Sequence, residues 1–257
     1  MSSNLLVVEN LTVMVAGKNI VSAASLEVPS LSVTALVGGS GSGKTTLSLA
    51  VLRLLPLGLI IRQGRVLFAG EDVLNFSEER MRSLRGKDIS MVFQEPLYAF
   101  NPVFTIGDQI EEVLRVHSAG NARQRRARIL ELLNLVGLPD PKRIAGNYPH
   151  QLSGGMRQRA MIAQAIAAGP KLIIADEPTS NLDVTLQANI MELFRKLKDE
   201  LKLSILLITH DLGMVAHMAD RVAVMTEGNI VERGTTREVL ENPQHPYTRT
   251  LMEALEV

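Results

Sequence analysis

Short runs of aliphatic and β-branched residues, separated by polar turns, form the clearest pattern in the first part of the chain. Residues 5–8, 11–15 and 25–28 are such runs, and residues 17–19 have the composition of a turn. Residues 32–37 are mainly apolar, as expected for a strand buried on both faces. The pattern predicts antiparallel strands that precede a buried strand. Further strands are predicted at residues 64–68, 88–93, 172–177 and 204–209.

Apolar residues at helical spacing dominate between residues 95 and 168. The spacing predicts one helix at 106–116 and another at 127–136. A helix start is also indicated at Ser77, although Arg80 stands where a capping box has Glu or Gln, so this cap is partial. The chain therefore carries a helical segment inserted between two parts that are rich in strands.

The strand at 32–37 runs directly into a glycine-rich loop that matches the spacing G-x-x-x-x-G-K-[ST], and helix-spaced apolar residues follow from Leu47 to Leu55. Glycines allow backbone N–H groups to wrap a triphosphate. Lys44, which we expect at the loop surface, supplies charge to the β- and γ-phosphates, and Thr45 offers a hydroxyl to Mg²⁺. Because a strand and a helix flank the loop, a chance Gly/Ser-rich turn is disfavoured. The expected nucleotide-binding residues of the loop are Gly38, Gly39, Ser40, Gly41, Ser42, Gly43, Lys44, Thr45 and Thr46.

Composition and charge are those of an ordinary globular protein. The 257 residues are 46% hydrophobic, and 27 basic residues balance 27 acidic ones, so no overall field attracts nucleic acid. The arginines between residues 123 and 128 predict a solvated helix face, because no aromatic residue is interleaved with them. The lack of cysteine excludes disulfides and thiolate chemistry. No apolar run is long enough for a membrane span, and we expect no export by a signal peptide.

A second group of candidate residues lies between residues 152 and 183. The strand at 172–177 ends in Asp176 and Glu177, the order in which a P-loop NTPase presents an Mg²⁺-facing Asp and then a base. Such a pair is common at strand ends, so by itself it is weak evidence for a catalytic site. Its position downstream of a P-loop makes that evidence strong. Residues 152–159 contain a serine and two glycines that open an apolar helix, which suits an anion. We interpret this second cradle as serving the nucleotide of a neighbouring subunit.

In this order, the motifs resemble those of the ATP-binding subunit of an ABC transporter, and the resemblance covers nearly the whole chain. It implies an α/β fold with a RecA-like P-loop NTPase core, an antiparallel β fringe and an inserted α-helical subdomain. It also implies a single ABC ATPase domain over 1–257. In that domain, the core comprises 1–94 and 169–237, the helical subdomain 95–168, and the C-terminal tail 238–257.

The resemblance also assigns roles to individual residues. Lys44, Gln94, Glu177 and His210 would be catalytic, although His210 alone would be read as an ordinary strand-end histidine. Thr45, Gln94 and Asp176 would face Mg²⁺. Residues Ser153, Gly154 and Gly155 of the signature motif and Asp183 of the D-loop at 180–183 would contact nucleotide. Val15 occupies the position at which the family usually stacks an aromatic ring on adenine. Either nucleotide affinity is lower by the ~1–3 kcal/mol of base stacking, or a partner chain supplies the ring.

Within the family, residues 95–107, 182–184 and 242–248 resemble the oligopeptide, dipeptide and nickel importers. The chain stops at Val257 without the cysteine-bearing extension usual in peptide importers, which resembles either the shorter nickel-type subunits, the favoured interpretation, or a truncated chain. Two further differences weakly favour the nickel-type subunits: Gly39 stands where a Glu is usual, and Met156 stands where the signature motif usually has Gln. One alternative is the ATPase partner of a carbon–phosphorus lyase complex, which shares the His-Pro-Tyr-Thr tail. A non-transport ABC protein is disfavoured, because long insertions are absent.

The resemblance implies the cofactors and partners as well. ATP and Mg²⁺ would be bound, and a second ABC ATPase subunit, favoured as a different chain, would complete a dimer closed by ATP. Integral membrane permease subunits would contact the region near Gln94 to Gly107, and an extracytoplasmic substrate-binding protein would act indirectly. No nucleic acid is expected as a partner. The chain is expected to lie peripherally on the cytoplasmic face of the inner membrane.

Overall fold

The computed structural model describes residues 4–118, 120–180 and 182–253. These residues form two compact units. The first contains the described residues of Met1–Arg82 and Lys202–Val257, and the second is Ser83–Leu201. The boundaries therefore differ from the expected limits of the helical subdomain, and that domain division stays a prediction.

Strands and helices are numbered in chain order. The strands are β1 (Asn4–Val15), β2 (Lys18–Pro29), β3 (Val33–Val37), β4 (Leu59–Phe68), β5 (Glu71–Asp72), β6 (Ile89–Val92), β7 (Leu172–Asp176), β8 (Ser204–Thr209), β9 (Arg221–Thr226) and β10 (Asn229–Thr235). The helices are α1 (Lys44–Val51), α2 (Glu78–Leu84), α3 (Pro96–Ala99), α4 (Ile106–His117), α5 (Ala122–Leu135), α6 (Pro141–Ala145), α7 (Gly154–Ala165), α8 (Val184–Leu201), α9 (Leu212–Met218), α10 (Thr236–Glu241) and α11 (Pro246–Glu253). Short 3-10 turns lie at Val73–Asn75 and Pro149–Gln151.

The first unit contains an antiparallel sheet with the strand order β2-β1-β4-β5. This confirms the predicted antiparallel fringe. The prediction of separate strands at 5–8 and 11–15 is wrong, because β1 continues through both. Asn10 adopts a φ of 48°, and the register with β2 shifts at this point, so a bulge absorbs the irregularity within one strand. The turn predicted at 17–19 is shorter, since Lys18 already belongs to β2.

A second group of strands in the first unit surrounds β3. Strands β8 and β9 run parallel to β3 on its two sides, and β10 pairs antiparallel with β9. Every residue of β3 is buried, and Val37 belongs to a core cluster with Val215, Val222 and Val224. The apolar run predicted this burial. The packing fixes the point at which the glycine-rich loop leaves the sheet.

Helix α1 starts at the glycine-rich loop, as predicted, but it is shorter than the apolar pattern suggests. It ends at Val51, so Leu54 and Leu55 lie outside it. The cause is Arg53, which adopts a φ of 52°. A left-handed residue just beyond the last turn is a common way to end a helix, because it redirects the chain while the last carbonyl groups stay paired.

The second unit contains the parallel pair of strands β6 and β7 and the helices α4 to α7. Helix α5 begins at Ala122, earlier than the predicted start at residue 127. Asn121 and Gln124 form a capping box there, a signal that the apolar spacing alone does not contain. Arg125 pairs with Glu111 at 3.1 Å. Arg123 and Arg126 are exposed, as a solvated helix face requires, whereas the Arg125 side chain is only 19% exposed.

In residues 4–118, 120–180 and 182–253, no helix combines the length and the hydropathy that crossing a bilayer requires.

Candidate nucleotide site

The glycine-rich loop follows β3, and two of its glycines have no room for a side chain. Gly38 adopts a φ of 155°, and a Cβ atom added there would collide with the carbonyl oxygen of Met225. Gly43 adopts a φ of 103°, and its Cβ would lie 2.7 Å from the carbonyl oxygen of Ile20. The chain thus turns sharply against the neighbouring strands. Only glycine meets both the steric and the conformational requirement at these positions.

Lys44 lies inside the loop. Its Nζ atom donates to the carbonyl oxygens of Gly38 and Gly39, each at 2.9 Å, and reaches Ser42 Oγ at 3.4 Å. Only 6% of the residue is exposed, so the expectation that Lys44 lies at the loop surface is wrong. The spacing of the motif places the charge but does not reveal that the loop folds around it. The ammonium group is therefore positioned by the loop backbone.

The open side of the loop has the character of an anion site. Ser40, Gly41 and Thr45 are exposed, and a Cβ on Gly41 would meet nothing within 4 Å, whereas Thr46 is half-buried. Lys44 is the first residue of α1, so the N-terminus of that helix lies at the loop. A helix N-terminus beside a fixed ammonium suits the phosphates of ATP.

Two further predicted site residues belong to the first unit. Val37 pairs with Thr209 across β3 and β8, so Gly38 and His210 leave the sheet side by side at its carboxyl edge. The strand register places His210 beside the start of the glycine-rich loop, and its catalytic role stays a prediction. Val15 ends β1 opposite Leu59 and is half-buried. Its assignment to adenine stays a prediction.

In the second unit, three predicted residues come together at one edge of the β6–β7 pair. Asp176 is the last residue of β7 and is only 3% exposed. Glu177 adopts a φ of 44°, unusual for a residue with a side chain. Ser180 Oγ lies 2.9 Å from the carbonyl oxygen of Glu177 and 3.5 Å from that of Gln94. Gln94 and the two carboxylates therefore share this edge.

The signature motif also lies in the second unit, at the start of α7. Ser153 caps this helix, because its Oγ accepts a hydrogen bond from the Met156 N–H at 3.3 Å. Gly155 is buried, and a Cβ there would approach Leu186 to 3.4 Å, so this glycine permits close packing against α8. Gly154 is exposed and faces Leu182.

The D-loop connects β7 to α8. Asp183 is exposed and caps α8, since its Oδ1 atom accepts from the Leu186 N–H at 2.9 Å. Asn181, which the sequence placed in the same motif, lies outside the described residues. The nucleotide contact predicted for Asp183 stays a prediction. Its present contact sets the orientation of α8 at its first turn.

Mg²⁺ was predicted to bind Thr45, Gln94 and Asp176. The donor chemistry fits: Mg²⁺ takes one or two carboxylates together with hydroxyl, phosphate and water oxygens, and it does not require an all-protein cage. No group of three or more metal-binding acidic or histidine side chains occurs in the part of the chain that the structure describes. The assignment of Mg²⁺ to Thr45, Gln94 and Asp176 stays a prediction.

Sequence reasoning missed one residue at the loop. Tyr247, at the start of α11, accepts a hydrogen bond through its hydroxyl oxygen from the Gly39 N–H at 2.9 Å. The tail around Tyr247 served only as a family marker in the sequence. Its His-Pro sequence could have predicted a helix start, but no local signal points from Tyr247 to a loop at the other end of the chain.

A parallel strand that leads into a phosphate-binding loop and a helix defines the chain as a P-loop ATPase. Residues 21–180 match the family model described as "ABC transporter", and residues 231–257 match "Oligopeptide/dipeptide transporter, C-terminal region". The chain belongs to the ABC transporter family of ATP-hydrolysing subunits. This confirms the family resemblance, the ATPase class and the α/β fold predicted from the sequence.

Relatives and solved structures agree with this assignment. The oligopeptide transport ATP-binding protein OppD of Bacillus subtilis is 49% identical over 222 residues, covering 86% of this chain and 62% of OppD. The dipeptide transport ATP-binding protein DppD of the same organism is 48% identical over 219 residues, covering 85% and 65%. The chain thus spans somewhat less than two thirds of their lengths.

Among solved structures, cbiO1 of Clostridium perfringens, part of the transporter complex cbiONQ, has a TM-score of 0.81 and 26% identity over 99% of both chains. The cassette MJ0796, in a dimeric post-hydrolysis state bound to ADP and Pi, has a TM-score of 0.79 and 27% identity. That match covers 90% of this chain and 99% of the cassette. The fold is therefore that of an ABC ATPase cassette.

Proposed function

We propose that this chain is the ATPase subunit of a peptide importer and that its glycine-rich loop binds the phosphates of ATP. The observation that carries this proposal is the loop itself, in which the Lys44 ammonium is fixed by the Gly38 and Gly39 carbonyl groups beside the start of α1. A charge that needs no reorientation stabilises the developing charge of phosphoryl transfer at little cost. ATPase assays of the Lys44→Ala variant test the proposal.

The other residues of the site take complementary roles. Thr45, Gln94 and Asp176 would hold Mg²⁺, which when bound neutralises charge on the phosphate oxygens. Glu177 orients the attacking water and accepts its proton, and His210 donates a hydrogen bond to the γ-phosphate. The φ of 44° at Glu177 supports its role, because strained backbone is concentrated at functional sites.

A second ABC ATPase subunit completes the site in this proposal. Ser153 and Gly154 are exposed at the N-terminus of the 12-residue helix α7, where free amides and the helix dipole favour a phosphate. These residues, with Gly155 and Asp183, would face the nucleotide of the partner subunit. The dimeric state of MJ0796 supports such an arrangement. We propose a different chain as the partner, which is what the family resemblance implies.

The region after Gln94 supplies the contact with the membrane subunits. Five large apolar side chains are exposed within a short stretch: Phe93, Leu97, Tyr98, Val103 and Phe104. An exposed apolar cluster of this kind suits a protein interface. Integral permease subunits would bind here, on the cytoplasmic face of the inner membrane. An extracytoplasmic binding protein would deliver the cargo without touching this chain.

We propose peptides as the cargo. The named functions of OppD and DppD and the match of residues 231–257 support peptides over nickel complexes and over a carbon–phosphorus lyase assembly. Nickel was favoured by the missing cysteine and by Met156, and the reported relatives add no support to it. Purification with the permease subunits, followed by ATPase measurement with binding protein and either a peptide mixture or Ni²⁺, tests the choice. Stimulation by Ni²⁺ but not by peptides would overturn it.

A further inference from the structure

We propose that Tyr247 is a positioning residue for the phosphate-binding loop, through which the C-terminal strut, defined as residues 244–253, sets the affinity for ATP. The Tyr247 hydroxyl accepts the Gly39 N–H at 2.9 Å, across 208 positions of sequence. The inference rests on the proposed function only in taking this loop to be the ATP site. Tyr247 belongs to the His-Pro-Tyr-Thr sequence, which served the family assignment but has no role in the proposed ATP site.

The strut is anchored at its start by Glu232 on β10. The two carboxylate oxygens of Glu232 accept the backbone N–H groups of Gln244, at 2.7 Å, and His245, at 2.9 Å. Burial of Glu232 raises its pKa, but the hydrogen bonds from the backbone N–H groups of Gln244 and His245 outweigh it, so the pKa lies below its ordinary value. The carboxylate form of Glu232 therefore fixes the chain just before α11.

The His-Pro sequence then starts α11. His245 Nδ1 accepts the Tyr247 N–H at 3.2 Å, so the imidazole caps the helix, and Pro246 occupies the first helical position, where no N–H is needed. This start gives the side chain of Tyr247 a defined direction. Its ring packs, together with Val231 and Leu251, against the core cluster that includes Val37, the last residue of β3.

Gly39 is consequently held from two sides. Its N–H is bound by Tyr247, and its carbonyl oxygen accepts the Lys44 ammonium at 2.9 Å and the Ser42 N–H at 3.3 Å. The glycine has no side chain that could restrict its backbone. The hydrogen bond from the Gly39 N–H to the Tyr247 hydroxyl therefore restricts the backbone conformation of Gly39, which the glycine itself does not restrict. Without it, Gly39 samples other conformations, and the apparent affinity for ATP falls with the fraction of loop in the competent state.

The Tyr247→Phe variant of the whole chain tests the proposal, because it removes the hydroxyl and keeps the ring. We expect the Gly39 amide proton to exchange faster with solvent in the nucleotide-free protein. We also expect the KM for ATP to rise about 3- to 10-fold, the range for one lost hydrogen bond, with kcat changed by less than about twofold. Tyr148→Phe, the same change outside the strut and the site, is the matched control.

The split between KM and kcat separates positioning from general destabilisation. A variant that merely unfolds more has fewer active molecules, so its kcat falls while its KM stays constant. The cap offers a rescue test: His245→Ala should reproduce the rise in KM, and His245→Asn should restore it, because Asn is a good helix cap. Unchanged exchange at Gly39, or faster exchange with an unchanged KM, would overturn the role of Tyr247. Continued turnover in Lys44→Ala would instead overturn the proposed ATP site.

Discussion

Lys44 donates a hydrogen bond to Gly39 within the same loop: the Lys44 Nζ atom lies 2.9 Å from the Gly39 carbonyl oxygen, and the lysine is almost fully buried. The charge that is to meet the phosphates is therefore held by the backbone that is to wrap them. Substitution of Lys44 changes the electrostatics and the shape of the loop together, which the sequence motif alone does not indicate.

Lys44→Ala should reduce ATP turnover at least about 100-fold, because a preorganised charge next to the reacting phosphate is lost. The variant should still fold, with a lower free energy of unfolding, since the carbonyl groups of Gly38 and Gly39 lose a buried donor. Steady-state ATPase rates and urea titrations measure both effects. Lys18→Ala, in an exposed strand end, is the control and should change neither. Turnover near the wild-type rate in Lys44→Ala would contradict the assignment of the loop.

Val15→Tyr should tighten ATP binding by about tenfold, the low end of the range for base stacking. Val15 ends a strand and is half-buried, so a β-favouring aromatic residue is compatible with its backbone. Titration with a fluorescent ATP analogue measures the affinity. Val116→Tyr, at an exposed position outside the site, controls for non-specific binding. An unchanged affinity in a folded Val15→Tyr protein would show that Val15 does not face adenine.

Local features of the chain were predictable, and contacts between distant segments were not. The spacing of the glycines around Lys44 predicted the loop, because each glycine permits the required backbone conformation at its own position. The start of α5 could have been predicted from Asn121 and Gln124, which form a capping box. By contrast, the contact of Tyr247 with Gly39 depends on packing between elements remote in sequence. The burial of Lys44 depends on the path that the loop backbone takes around its ammonium group, which the spacing of the motif does not encode.

Glu232 should make the C-terminal strut sensitive to acid. Its pKa is lowered by folding, so the stabilisation it gives is present above its unfolded pKa and is lost as pH falls through the folded pKa. The difference in free energy of unfolding between wild type and Glu232→Gln should therefore be positive at neutral pH and shrink toward zero as the pH falls through the lowered folded pKa of Glu232. Urea titrations across this range measure it.

The control for this prediction is Glu192→Gln, which removes a carboxylate in an exposed ion pair with Arg195. Exposed pairs contribute little, so its effect should be small at every pH. A difference between wild type and Glu232→Gln that grows as pH falls would have the wrong sign and would contradict the anchoring role of Glu232.

The central claim is that two ATPase subunits close on ATP, and nucleotide-dependent dimerisation of Glu177→Gln tests it most directly. The change keeps the shape of the side chain and removes the charge that activates water, so bound ATP persists between the subunits. A second change, Ser153→Arg, should block closure by filling the phosphate cradle. Because it also removes the cap of α7, Ser153→Ala is the matched control, which loses the cap but leaves the cradle open.

Light scattering, with the partner ATPase subunit present, gives the mass of each complex. The account predicts that Glu177→Gln dimerises with ATP and not with ADP, that added Ser153→Ala keeps most of this dimer, and that added Ser153→Arg abolishes it. A dimer that forms regardless of nucleotide, or one that survives Ser153→Arg, would contradict the account.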